Sequence, residues 1–169
     1  MEVLPDGRVV VPPEPDATIN GNPAATLVRF TAGGAVDLSF TPGIFNREIY
    51  PGKFALLPDR KILAWGPFNR SNGVPRPGLA RFEANGALDL TFNVAGIPNL
   101  NYVAQAEVTP DGRILASTRF GTNPAALTSG LTRLLSSGAI DPSFTLDASL
   151  GALPDELTFR LLPDQRILI

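Results

Sequence analysis

Cysteine and histidine are both absent from this chain of 169 residues, and methionine and tryptophan occur once each. Without cysteine there are no disulfides, thiol nucleophiles or thiolate metal sites, and the redox compartment stays open. Without histidine the commonest general base and the commonest transition-metal ligand are gone. Charge is scarce too: 18% of residues are charged, 14 basic against 16 acidic, for a net charge of −2. No basic stripe exists to neutralise phosphates, so nucleic acid is not an expected partner. No apolar run approaches the roughly 20 residues of a membrane span. Met1-Glu2-Val3-Leu4-Pro5 has neither a basic start nor an apolar core, so neither membrane insertion nor a signal peptide is expected within this chain.

Apolar residues (44%) and turn formers (16 Gly, 17 Pro) are plentiful. Blocks of strong helix formers are missing. This combination predicts many short strands joined by turns, with enough apolar surface for a core.

The chain repeats itself. Thr26-Leu27-Val28-Arg29-Phe30 returns as Gly78-Leu79-Ala80-Arg81-Phe82 and as Gly130-Leu131-Thr132-Arg133-Leu134, each 52 residues after the last. Gly34-Ala35-Val36-Asp37 keeps the same phase as Gly86-Ala87-Leu88-Asp89 and Gly138-Ala139-Ile140-Asp141. Each copy closes on Phe40, Phe92 or Phe144. A second motif alternates with the first: Leu4-Pro5-Asp6-Gly7-Arg8, Leu57-Pro58-Asp59-Arg60-Lys61, Thr109-Pro110-Asp111-Gly112-Arg113 and Leu162-Pro163-Asp164-Gln165-Arg166. A fixed long period marks a repeat architecture. The expected organisation is one repeat domain over 1–169, with units at about 1–40, 41–92 and 93–144 and a truncated fourth at 145–169.

Each motif reads as a β-hairpin. In the second motif Pro presets φ, Asp suits the next position, and a left-handed residue closes the loop. Gly7 and Gly112 fill that place at no steric cost. Arg60 and Gln165 stand there in the other two copies and are expected at positive φ nonetheless. In the first motif a three-residue loop, Ala84-Asn85-Gly86, places Arg81 opposite Asp89. The same register pairs Arg29 with Asp37 and Arg133 with Asp141, as exposed cross-strand pairs that fix register more than stability. Two hairpins give four strands per unit. Their apolar residues do not alternate cleanly with polar ones, so both faces should be covered. The fold class expected is all-β: tandem four-stranded antiparallel blades, as an open arc or part of a β-propeller. Trp65 ends a strand and is expected between blades.

These residues resemble the delta-60 repeat, a bacterial β-propeller-type repeat. Its turn appears as Leu56-Leu57-Pro58-Asp59-Arg60-Lys61-Ile62-Leu63, followed by Gly66-Pro67-Phe68 and Asn72-Gly73. The pattern continues through Ala80-Arg81-Phe82, Asn85-Gly86-Ala87-Leu88-Asp89 and Thr91-Phe92. The departures are Arg60 and Gln165 for Gly, Ala for Ser after the hairpin Gly, and divergent middles in the first and third units. The resemblance implies a part of a large secreted or surface-attached bacterial protein, so an extracellular or cell-surface location is inherited from it alone.

Three chemistries compete with a purely structural role. Seven of the ten aspartates recur in phase (Asp6, Asp59, Asp111, Asp164; Asp37, Asp89, Asp141), which suits either calcium or turn chemistry. Each hairpin offers one Asp where a calcium loop converges several ligands, so turn chemistry is favoured and no cofactor is expected. Glu48, Glu83, Glu107 and Glu156 recur at no common phase, which leaves room for a unique glycosidase-type carboxylate pair, but nothing brings two together. The variable stretches 41–53, 66–77, 93–103 and 117–129 carry Phe45, Tyr50, Phe68, Asn69, Arg70, Asn72, Asn99, Asn101, Tyr102 and Phe120. Of these, Phe68, Asn69, Arg70, Asn72, Tyr102 and Phe120 are the candidate ligand contacts, for a glycan or a protein partner. Inward packing is the alternative for the aromatics.

The expected function is a non-enzymatic repeat module, a scaffold or interaction surface beside flanking repeats of a longer chain. A carbohydrate-binding module or a propeller-type glycoside hydrolase or lyase is the alternative. Three units are too few for a ring of about four to eight blades, so an open arc is expected. Its ends should expose Val3, Val9, Leu161, Ile167 and Leu168 and favour self-association.

Overall fold

The computed structural model describes residues 1–12, 18–19, 22–23, 27–42, 45, 53–122, 127–147, 153–154 and 157–169. All its regular elements are strands: β1 (Glu2–Val3), β2 (Val9–Val11), β3 (Thr18–Ile19), β4 (Asn22–Pro23), β5 (Val28–Phe30), β6 (Lys53–Leu56), β7 (Ile62–Trp65), β8 (Arg70–Ser71), β9 (Val74–Pro75), β10 (Leu79–Phe82), β11 (Leu100–Val108), β12 (Ile114–Phe120), β13 (Thr128–Leu134), β14 (Arg160–Leu161) and β15 (Ile167–Leu168). They form small antiparallel sheets ordered β1-β2-β5, β6-β7-β10 and β11-β12-β13, with β14-β15 as a fourth, two-stranded piece.

The Pro-Asp turns close as the sequence suggests. Leu57 N–H donates to Lys61 O and Arg60 N–H to Leu57 O, both within 3 Å. Arg60 and Gln165 take φ of 66° and 67°, beside 80° at Gly7 and Gly112. The fourth strand of each blade is shorter than the two-hairpin reading implies. It joins by a single bridge: Val36 to Phe30, Leu88 to Phe82, Ile140 to Leu134. The cause is the following aspartate. Its carboxylate accepts the N–H two residues on, at Ser39, Thr91 and Ser143, and so turns the chain before a second rung forms.

The variable stretches also differ from the loops expected of them. In the second unit Asn72-Gly73, both at positive φ, make a small hairpin, β8-β9. In the third unit residues 100–103, 117–120 and 128–129 simply lengthen β11, β12 and β13. That segment offers Tyr, Val, Thr and Phe, which suit a pleated surface, and no Asn-Gly to interrupt it.

The core lies between units. Along β7, Leu63 and Trp65 pack with Val103, Ile114 and Leu134 of the third unit, whereas Ile62 and Ala64 pack with Leu4, Val10 and Leu27 of the first. A strand sends successive side chains to opposite faces, and here each face meets a different neighbour. That accounts for the unbroken apolar run Ile62-Leu63-Ala64-Trp65 and for the buried position of Trp65 between blades. Leu115, Leu131, Leu157 and Phe159 form the third seam.

Candidate functional site

The repeated arginine, aspartate and phenylalanine form one construction, made three times. Asp37 accepts Arg29 Nε on one oxygen (2.8 Å) and Ser39 N–H and Oγ–H on the other (3.0 and 2.6 Å). Asp89 does the same with Arg81 and Thr91, and Asp141 with Arg133 and Ser143. Each guanidinium lies over the phenylalanine that ends its unit: Arg29 on Phe40 at 4.6 Å, Arg81 on Phe92 at 4.8 Å, Arg133 on Phe144 at 4.9 Å. A second cation reaches each aspartate from the Pro-Asp turn: Arg8 to Asp37 (3.6 Å), Lys61 to Asp89 (2.8 Å), Arg113 to Asp141 (3.1 Å).

These pairs are not the exposed ones read from the sequence. Arg29, Asp89 and Asp141 are buried. The next unit, which no single-hairpin reading contains, covers Arg29, while Asp89 and Asp141 are enclosed by the cations and hydroxyls of their own units. Breaking such an enclosed pair by removing one partner strands a charge away from water. The hydroxyl and N–H of Ser39 and then Arg29 hold the Asp37 carboxyl down at about 2, and Ser143 and then Arg133 do the same for Asp141. Burial would raise Asp89, but Lys61, Thr91 and Arg81 together hold it well below the ordinary carboxylate range.

The same arginines clasp the neighbouring unit. Arg29 Nη1 donates to Ala84 O at 2.5 Å, and Arg81 Nη1 to Ser136 O at 2.6 Å. Beside them Thr41 N–H donates to Asn85 O and Asn93 N–H to Ser137 O. The accepting loop presses close: a Cβ on Gly86 would lie 2.8 Å from Pro42 N, and one on Gly138 2.8 Å from Asn93 O. Sequence reasoning missed this clasp because its acceptors are backbone carbonyls, which carry no residue signature. The recurring Gly34, Gly86 and Gly138 were the available signal.

Residues 4–40, 57–92 and 109–144 match the family described as domain of unknown function (DUF5122) beta-propeller. The chain belongs to that family. Each DUF5122 match begins at or beside a Pro-Asp turn and ends on the phenylalanine under the arginine, so one match encloses one complete arginine–aspartate construction. No curated protein and no solved structure matches the chain.

The candidate ligand contacts fall outside the DUF5122 matches in part and do not converge. Phe68 is enclosed, its ring stacked on Phe45 at 3.9 Å, so it faces the first seam and not solvent. Tyr102 and Phe120 are half-buried on β11 and β12. Asn69, Arg70 and Asn72 are exposed at the β8-β9 tip, where Arg70 Nη1 donates to Gly73 O. Asn99 is exposed and Asn101 half-buried. Nearby, Arg76 is buried, its side chain donates to Pro75 O, and burial pushes its guanidinium down. Of the glutamates, Glu83 binds Lys61 within the second unit, and Glu107 accepts Gln105 Nε2 and Leu161 N–H at the third seam. They serve different contacts. Glu48, Glu156 and Tyr50 lie outside the described residues. Each Pro-Asp turn carboxylate that recurs in phase accepts the N–H two residues on, at Arg8, Lys61, Arg113 and Arg166.

Proposed function

We propose that the chain is a non-enzymatic, cofactor-free repeat module of the delta-60 type. Its role is that of a scaffold or interaction surface within a larger, secreted or surface-attached bacterial protein. The observation that carries this reading is that the recurring polar groups are consumed by architecture. A general acid at neutral pH needs a carboxyl with a raised affinity for its proton. Asp37 and Asp141 are held at about 2 instead, each by a hydroxyl and a guanidinium of its own unit. Glu83 and Glu107 are likewise tied to a lysine and to a strand. Asn69, Arg70 and Asn72 face solvent at and beside the β8-β9 hairpin, and this is the surface we assign to a protein or glycan partner. The extracellular location follows the resemblance.

A glycan array and a glycoside-turnover panel on the 169-residue chain test the reading. Binding that Arg70→Glu abolishes, without turnover, supports it. Turnover lost in Glu83→Gln or Glu107→Gln overturns it. A melting temperature that drops in a calcium chelator would speak for a bound cation.

A further inference from the structure

Four turns among the described residues place an aspartate or asparagine directly before a glycine: Asp6-Gly7, Asn72-Gly73, Asn85-Gly86 and Asp111-Gly112. A fifth such pair, Asn20-Gly21, lies outside the described residues. In three of the four the glycine N–H is committed. Gly7 donates to Leu4 O at 2.9 Å, Gly86 to Glu83 O at 2.8 Å and Gly112 to Thr109 O at 2.9 Å. Gly73 N–H donates to no acceptor among the described residues. The difference follows from loop length. Asn72-Gly73 is a two-residue hairpin loop, and its second N–H stands outside the ladder.

The two described Asn-Gly pairs differ most. Asn85-Gly86 belongs to the clasp. Asn85 O accepts Thr41 N–H at 3.0 Å, its Oδ1 accepts Ala87 N–H at 3.0 Å, and a Cβ on Gly86 would lie 2.8 Å from Pro42 N. Moving this loop breaks contacts with the first unit. Asn72-Gly73 closes β8-β9, a hairpin two residue pairs long. Both residues are exposed, at φ of 49° and 77°, and a Cβ on Gly73 would meet nothing within 4 Å. Arg70 Nη1 donates to Gly73 O at 2.7 Å, which holds the carbonyl of that residue and leaves its nitrogen alone. So short a hairpin gains little from its own ladder and opens locally at small cost.

We propose that Asn72 is a site of spontaneous deamidation through a succinimide, and that the clasp protects Asn85 from the same reaction. Gly73 N gives up its proton and attacks Asn72 Cγ. The N–Cγ bond forms, the Cγ–Nδ2 bond breaks, and ammonia leaves with the proton. One water then opens the ring. Opening at Cγ leaves aspartate, and opening at the backbone carbonyl leaves isoaspartate, whose main chain is one carbon longer. A glycine in the attacking position has no side chain to obstruct the approach, and asparagine is thermolabile for this reason. At Asn85 the attack must first free Gly86 N–H from Glu83 O and withdraw the loop from Thr41 and Pro42. The product at residue 72 is a carboxylate in the turn that Arg70 closes. The effect on binding rests on the reading of this hairpin as the partner surface: its exposed cation gains an adjoining anion as the molecule ages, and isoaspartate also disturbs the β8-β9 register.

Peptide mapping by mass spectrometry, on the full chain held warm at mildly alkaline pH, reads the conversion at each asparagine. Asn72 should convert at least about tenfold faster than Asn85, because the hydrogen bonds of the second loop must open first. In denaturant the two rates should converge, since a glycine follows both. A protein isoaspartyl methyltransferase should label the peptide that holds residue 72 in the aged, folded chain, and Asn72→Gln should abolish that label. Equal rates in the folded chain overturn the proposal, and so does an unreactive Asn72 in a chain that converts when unfolded. The consequence is read on a glycan array with Asn72→Asp beside the parent. Binding that Arg70→Glu abolishes should be altered by Asn72→Asp, and unchanged binding overturns the effect on the partner surface. An array without any ligand defeats the assignment of that surface and leaves the mapping result standing, so the two failures are distinguishable.

Discussion

The hairpin β6-β7 and the hairpin β14-β15 carry nearly the same residues and live in different surroundings. Leu57-Pro58-Asp59-Arg60-Lys61-Ile62-Leu63 is enclosed by neighbours on both faces, and Leu63 has no exposed surface. In Leu162-Pro163-Asp164-Gln165-Arg166-Ile167-Leu168, Ile167 packs on the third seam and Leu168 is exposed. The turn geometry is the same in both, down to φ at Arg60 and Gln165. Local sequence therefore decides the turn, and the adjoining unit decides the burial. In such arrays stability resides in the seams as much as in the units.

Acid should have the largest effect, because it attacks all three constructions at once. An aspartate unfolded titrates near 3.8, and Asp37 and Asp141 titrate at about 2 when folded. Their stabilisation is whole above about pH 4 and is lost as the pH falls through about 2. Asp89, depressed further, should hold the middle seam longest. Carboxyl titration by NMR alongside an acid melt checks the order, and simultaneous loss of all three would break the contrast between middle and ends. Next, Leu63→Ala should cost about 3 kcal/mol in denaturant melts, whereas Leu168→Ala should cost less than about 0.5 kcal/mol.

The loops give a finer contrast. Gly86→Ala meets both a left-handed φ of 91° and the backbone of Pro42, and should cost about 2–3 kcal/mol. Gly34→Ala meets only its φ of 84°, at about 1 kcal/mol. Equal costs would mean that the clasp contributes nothing. The smallest effect is a gain: Arg60→Gly relieves a side chain at positive φ and should add about 0.5–1 kcal/mol, read as a raised melting midpoint.

Much of this was legible in the residues because the repeat is strict where geometry is local. The turn at Arg60 and the register that pairs Arg81 with Asp89 both follow from a loop length and a spacing. What was not legible depends on a second segment far along the chain. The burial of Arg29 is set by a loop 55 residues on, whose contribution is the Ala84 carbonyl. The reduction of the fourth strand to one bridge at Leu88 comes from a carboxylate competing with the ladder for the backbone at Thr91. Phe68, read as a candidate contact, is turned inward by its stack on Phe45, a residue 23 positions earlier in a stretch with no repeat phase.

The clasp also bears on how such a protein changes over generations. Arg29 and Arg81 each hold the following unit through a backbone carbonyl two residues before a glycine, so the recognition does not depend on which unit follows. Two different loops, Ala84-Asn85-Gly86 and Ser136-Ser137-Gly138, satisfy it equally. A gene that gains or loses whole repeats by unequal crossing-over therefore creates a new junction with the old chemistry, and no compensating substitution is required. Array length becomes a quantity that recombination can adjust in steps of one unit, while the variable tips diverge independently on each.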